Sequence, residues 1–513
     1  MTRHAPTLSL AALVAGCLIS AAALAPVPAQ AAKKDGTIRF ANNQSPENID
    51  PYFNNVRIGV IIGQHVWDTL IYRDPKTNEY SGNLAKSWTW VDDTTLDVEL
   101  REGVKFHNGE AFDADDVVYT LNFVSKPENK VITQTNVSWI ASAEKLAPFK
   151  ARIKLKKPFP AAIEYLAGPV VIHPNEYYAK VGPKGMNTAA VGSGPYKVVE
   201  HVPGKVLRME RNKDYFKDSP KGQPKVDKLE FRFIPDVQTQ AAEMLAGGLD
   251  LIFGVSPDQA KQMKTVPHLQ VKSGETMRIV FLNLNTRDDG PLPALRNQKV
   301  REAIAHAIDR ETMVKTLVGD GARVLNVICY PSQFGCSDAG VPVFKYDVAK
   351  AKQLMKEAGF ADGFEVDLYA YREREQSEAM INYLRAIGIR ANLRFMQYAA
   401  MREQIRANKV AMSHQTWGSF SVNDVSASTP VYYKFGPDDI SRDPEVRDLL
   451  QKGDSVTDPA TRKDAYSKAL ALIQARYLSV PLYALVSNYV AAKDLEFTTY
   501  PDEIPRFWEM SWK

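Results

Sequence analysis

Cysteine is scarce. Three occur in 513 residues, at positions 17, 329 and 336, and no two are spaced as C-x-x-C. This argues against a zinc ribbon and a thioredoxin-type redox centre. The eight histidines include no H-x-x-x-H or H-E-x-x-H pair, so the usual helical metal sites are missing too. There is no G-x-x-x-x-G-K-[ST] loop, G-x-G-x-x-G fingerprint or G-x-S-x-G elbow; Gly192-Ser193-Gly194 runs into Pro195 and reads as a tight turn. A formal charge of +4 spread over this length makes no case for nucleic acid. Beyond residue 31 no apolar run approaches the ~20 residues of a membrane span. The expectation is a chain with no catalytic residues, no metal and no cofactor.

The N-terminus is the exception in hydropathy. Arg3 precedes a small-and-apolar run from Leu8 to Ala25, Pro26 and Pro28 break it, and Ala29-Gln30-Ala31 offers a cleavage site. Residues 1–31 read as a secretory signal peptide. Val14-Ala15-Gly16-Cys17 also fits a lipoprotein box, but the apolar run continues past Cys17 and favours the later cut. In an oxidising compartment the remaining pair, Cys329 and Cys336, is expected to form a disulfide.

The densest group of acids lies in "FHNGEAFDADDVVYTL", with Glu110, Asp113, Asp115 and Asp116. Val117, Val118, Leu121 and Val124 follow at helical spacing. Asp113 then stands at the N-cap, and Asp115 and Asp116 face the positive end of the helix dipole. The cluster is read as a helix start rather than as a metal or catalytic site.

Strand-like alternation marks Thr37–Ala41, Leu96–Leu100, Ala151–Leu155, Val206–Glu210 and Leu229–Phe233. After Ile279–Asn285 the character changes. Helices are expected at Lys299–Ile308, after Asp347, and at Pro459–Tyr477. Strand Phe364–Tyr371, helix Gln376–Ile387 and strand Ile389–Tyr398 form a β-α-β unit. A β-rich first lobe and an α/β second lobe follow, without a flexible linker between them. One stretch has ligand-pocket character: His414–Phe435 carries Trp417, Phe420, Tyr432 and Tyr433 around Asn423 and Asp424, and Trp139 is a weaker candidate of the same kind.

The chain resembles the extracytoplasmic solute-binding proteins of the peptide/nickel family that serve ABC transporters. The resemblance is carried by "NIDPYF" (Asn48–Phe53), "LAKSWTWVDDTTLDVELREGVKFHNGEAFDADDVVYTL" (Leu84–Leu121), "VGSGPYKVVE" (Val191–Glu200), "NQKVREAIAHAIDRETMV" (Asn297–Val314) and "YDVAKAKQLMKEAGF" (Tyr346–Phe360). It implies a periplasmic-binding-protein-like α/β fold. The larger, mixed α+β lobe would hold residues 32–282 and 490–513, the smaller α/β lobe 283–489, with a two-stranded hinge between them. It implies a periplasmic, monomeric protein that closes on a small solute and docks on a membrane permease with a cytoplasmic ATPase. Family members often anchor a peptide amino group on an aspartate after a G-W stretch; here Asn423 or Asp424 occupies that place, and Val425 replaces the usual proline. Asn55-Val56-Arg57 matches a segment that lines the cleft, with Arg57 available to a ligand carboxylate. The implied solute is a di- or oligopeptide or a peptide-like compound. A nickel chelate, an opine or a sugar is the alternative within the fold, and an exported hydrolase is the alternative outside it.

Overall fold

Two strands hold the molecule together. "LQVKSGETMRIVFLNL" forms one strand from Leu269 to Leu284, and "SVPLYALVSNYVAA" forms another from Ser479 to Ala492. They pair antiparallel along most of their length, at the centre of an 11-stranded sheet. This computed structural model describes residues 35–54 and 56–513, except the side chains of Phe420 and Pro430. Residues 1–31, expected to be a signal peptide and including Cys17, and Asn55 fall outside the described residues.

On one side of this central pair, the sheet continues through Leu251–Val255, Thr37–Asn42, Lys228–Phe233, Val206–Arg211 and Tyr196–Val202. A separate antiparallel sheet of four strands packs into the same lobe, in the order Ala85–Asp92, Thr95–Leu100, Lys150–Leu155, Ile140–Ala147. On the other side lie Met412–Trp417, Phe364–Ala370 and Ile389–Phe395. The last two are parallel and joined by the helix Arg374–Arg385, the expected β-α-β unit. The first lobe is therefore mixed α+β and the second α/β.

The hydrophobic core divides along the central pair. Leu269 and Val490 pack with Ala41, Met244 and Ile252 on the first-lobe side. Met277, Ile279 and Phe281 pack with Tyr432, Leu470 and Ile473 on the second-lobe side. Tyr489 and Ala491 belong to the main first-lobe core, and Val480 and Leu482 to the second-lobe core. The change falls where the pairing is irregular. Glu275 pairs with Val486 and Ile279 with Ala484, so Thr276, Met277 and Arg278 form a bulge. A bulge bends its strand and re-aims side chains.

The acid-rich stretch is a helix start. Asp113 caps the helix Ala114–Val124: its carboxylate accepts from Asp115 N at 2.7 Å, and Asp116 accepts from Asp113 N at 2.9 Å. This capping box satisfies two otherwise orphaned N–H groups. Burial pushes the Asp116 carboxyl up to about 7, outweighing the lowering by its backbone donors. Cys329 and Cys336 are joined by a disulfide, with 5.8 Å between their Cα atoms.

Candidate interlobe solute site

The bulge opens onto a cavity of about 760 Å³ between the lobes, within the range of sites that enclose small molecules. Thr276, Arg278 and the facing segment Leu485–Asn488 form its floor. Arg57, Tyr72, Arg73, Phe253 and Trp508 line it from the first lobe, and Leu317, Arg372 and Gln376 from the second. The C-terminal segment returns from the central pair into the first lobe, burying Phe507 and Trp508, and so brings Asp502 and Glu503 into the cavity lining.

Charge is dense here and most of it is paired. Arg506 contacts both carboxylate oxygens of Asp502, at 3.0 and 2.6 Å. Burial alone would push Asp502 up, but Arg506, Arg73 and the Ile504 N–H together hold its carboxyl below the usual range. Arg73 pairs with Glu164 at 3.0 Å, and Arg57 with Glu503 at 3.0 Å. Arg372 lies 3.4 Å from Glu373. Arg278 differs. Among the described residues its guanidinium reaches only the Thr416 hydroxyl, at 3.5 Å, and no carboxylate lies within ion-pair distance of it. Tyr72 is pushed up to about 12, chiefly by burial.

A seam closes one side of the cavity. The loop after strand Met412–Trp417 crosses to the first lobe, where Asn423 N donates to Glu164 Oε1 at 2.6 Å and Asn423 Nδ2 to Asn78 Oδ1 at 3.0 Å. Ser421 Oγ donates to the Asp502 carbonyl at 2.6 Å and accepts from Arg57. Glu164 also accepts from Tyr80, and burial outweighs these donors in raising its carboxyl. Behind the loop, Phe334 N donates to the Asn423 carbonyl at 2.9 Å and Val425 N to the Phe334 carbonyl at 3.1 Å. Phe334 lies within the segment that the Cys329–Cys336 disulfide closes.

The sequence-derived candidates separate in the structure. Arg57 lines the cavity. Asp424 does not; its carboxylate accepts both from Ser426 N and from Arg462, and it is buried. Asn423 is a seam residue and takes no part in the lining. Trp417 donates to the Ala427 carbonyl at 2.8 Å and meets the Tyr432 ring edge-on, while Tyr432 and Tyr433 fill core. Trp139 is buried, stacked on Phe159 and bonded to the Asn136 carbonyl. Arg278, Arg372 and Arg506 are invisible in the sequence, because a lone arginine in a strand or loop carries no signal distinguishing it from a surface residue.

The comparison with known proteins decides what the frame is. The model of the bacterial extracellular solute-binding proteins, family 5 (middle), matches residues 79–439. The chain belongs to this family. It is 27% identical over 422 residues to the glutathione-binding protein GsiB of Salmonella paratyphi A, covering 80% of each chain. HbpA2 from Haemophilus parasuis superposes with a TM-score of 0.82 at 23% identity, over 93% of this chain and 100% of that one. A dipeptide-binding protein from Pseudoalteromonas sp. SM9913, solved with Met-Leu, gives 0.75 at 22% identity over the same shares. The periplasmic-binding-protein fold and the role of substrate-binding component of an ABC importer follow from family membership. Within family 5, the frame described above is the solute-binding one, and the interlobe cavity is where it encloses space.

Proposed function

We propose that this chain captures a peptide or peptide-like solute in the interlobe cavity, outside the cytoplasm, and delivers it unchanged to an ABC permease. The supporting observation is the cavity itself, lined from both lobes and floored by the two strands that connect them. Its walls combine apolar surface (Val60, Phe253, Leu317, Trp508) with a few fixed polar groups, the usual composition of a small-molecule site. The name of the GsiB relatives supports a peptide-like cargo. Residues 32–282 with 490–513, and 283–489, are the proposed lobes; the packing of Met277, Ile279 and Phe281 with second-lobe residues supports a crossing a few residues earlier, at the bulge and the facing Leu485–Asn488 segment, about which the lobes would rotate. The proposed setting is periplasmic and the proposed unit a monomer. No histidine or cysteine lines the cavity among the described residues, so a nickel cargo would have to arrive inside its own chelator.

Small-angle scattering of the mature protein tests this reading, before and after adding glutathione or a dipeptide mixture. The expected result is compaction, with the solute recovered intact after denaturing the protein. A constant radius with every solute, or recovery of an altered product, would overturn it.

A further inference from the structure

We propose that the cargo is an acidic solute whose carboxylate is received by Arg278 at the pivot between the lobes. This rests on the solute-binding reading above and specifies its chemistry.

The first observation is the balance of charge. Five arginines and three carboxylates line the cavity among the described residues. Each of the three carboxylates already has an arginine: Asp502 has Arg506, Glu503 has Arg57 and Glu373 has Arg372. A ligand ammonium therefore finds no uncommitted acid in the lining. Arg73 is held by Glu164 behind the wall. Arg278 is the cation left over, with one hydroxyl at 3.5 Å.

The second observation is how Arg278 is presented. It belongs to the bulge, where the strand is released from its partner: Met277 N turns away to the Pro501 carbonyl at 2.7 Å. Its guanidinium lies over Gly418. A Cβ built at Gly418 would come within 2.9 Å of Nη2 and 3.0 Å of Cζ, so the glycine leaves room for the arginine's head. The planar fork of arginine matches the two oxygens of a carboxylate.

The third observation is the backbone. The helices Arg57–Val66 and Arg374–Arg385 begin at the cavity wall, and neither has a side-chain cap. The first of these positive ends favours negative charge at the cavity wall; at the second, Glu373 and Glu375 offset it. Closing the lobes over Arg278 without a counter-ion buries an uncompensated charge; a carboxylate from the cargo removes that cost. Closure is thereby tied to the sign of the solute.

The test uses the mature protein, unfolded and refolded to strip it of cargo, and a dipeptide library prepared with four end chemistries. These are free (zwitterionic), N-acetylated acid, C-terminal amide, and blocked at both ends. Native mass spectrometry and calorimetry read the binding. The expected order is N-acetylated acids and acidic side chains first, zwitterions next, and amides and doubly blocked members last. R278M is expected to weaken the acids by at least about thirtyfold and leave the amides unchanged. R278K should recover part of that loss. G418A, which displaces the guanidinium, should weaken the acids while keeping the wild-type melting temperature. Equal binding of amides and acids would overturn the inference and leave the solute-binding reading standing. So would wild-type affinity in R278M for the acids. Binding of no member at all would overturn the peptide-like reading and the inference together.

Discussion

The Arg462 guanidinium lies 3.0 Å from Asp424 Oδ2, and the two side chains are 5% and 4% exposed. The same guanidinium donates to Tyr466 Oη at 3.2 Å, and Arg462 Nε donates to the Gly453 carbonyl at 2.8 Å. This pair fastens the seam loop to the helix Pro459–Ala475. Asp424→Asn strands a buried cation and is expected to cost about 3–5 kcal/mol. Replacing Arg462 by methionine in the same chain should recover most of that loss, because no charge is then left unpaired. Urea denaturation of the two variants measures both effects.

Glu164 receives the Asn423 N–H across the seam. Hydrogen bonds to a charged group contribute about 1.5–3 kcal/mol, and this one joins the two proposed lobes. Glu164→Gln is expected to weaken solute binding about tenfold and to raise the open fraction. Distances between spin labels on the two lobes, with and without solute, give the direct reading.

The disulfide closes a short loop, its cysteines seven positions apart, and that loop backs the seam through Phe334. Chain-entropy arithmetic for a loop of this length gives about 2.5 kcal/mol. Cys329→Ser with Cys336→Ser, or reduction of the wild type, should lower the melting temperature by a few degrees. Hydrogen exchange should rise first at 330–336 and 423–425. Uniform exchange across the chain would show that the loop and the seam are not coupled.

His65 sets part of the acid limit. Its ring is fully buried; Nε2 accepts from Phe507 N at 3.0 Å, so Nδ1 carries the proton shared with the Ile61 carbonyl at 2.7 Å. Burial, aided by Lys221 and Arg506, lowers its pKa to about 3. The unfolded chain takes up this proton near pH 6.5 and the folded one does not. Stability therefore falls as pH drops from about 6.5 towards 3, by up to ~1.4 kcal/mol per pH unit from this group. His65→Gln should flatten the acid limb by that amount, read from urea midpoints over that range.

Local order was legible in the sequence where one segment decides it. The Asp113 cap, the β-α-β unit around Arg374–Arg385 and the helix Pro459–Ala475 follow from caps and periodicity. The central strands are longer than their apolar runs suggest: Leu269–Leu284 begins well before Ile279, because its first half has one polar face. The site was less legible. Arg57 was reachable through resemblance, but Arg278, Arg372 and Asp502 come from separate stretches that only the tertiary fold assembles. The loop around Asp424 shows why a polar-aromatic composition misleads. A carboxylate that meets a buried arginine and one that meets a ligand look alike in sequence.

The bulge at Thr276–Arg278 has a consequence for the order of events. A point at the fulcrum travels least while the tips of two jaws swing through the widest arc. On the proposed rotation Arg278 would therefore keep nearly the same position whether the lobes stand apart or together, whereas the contacts of Asn423 with Glu164 and Asn78 would form only at the end of the swing. On the proposed rotation, docking at the fulcrum would precede the distant clasp, making arrival and commitment separate steps.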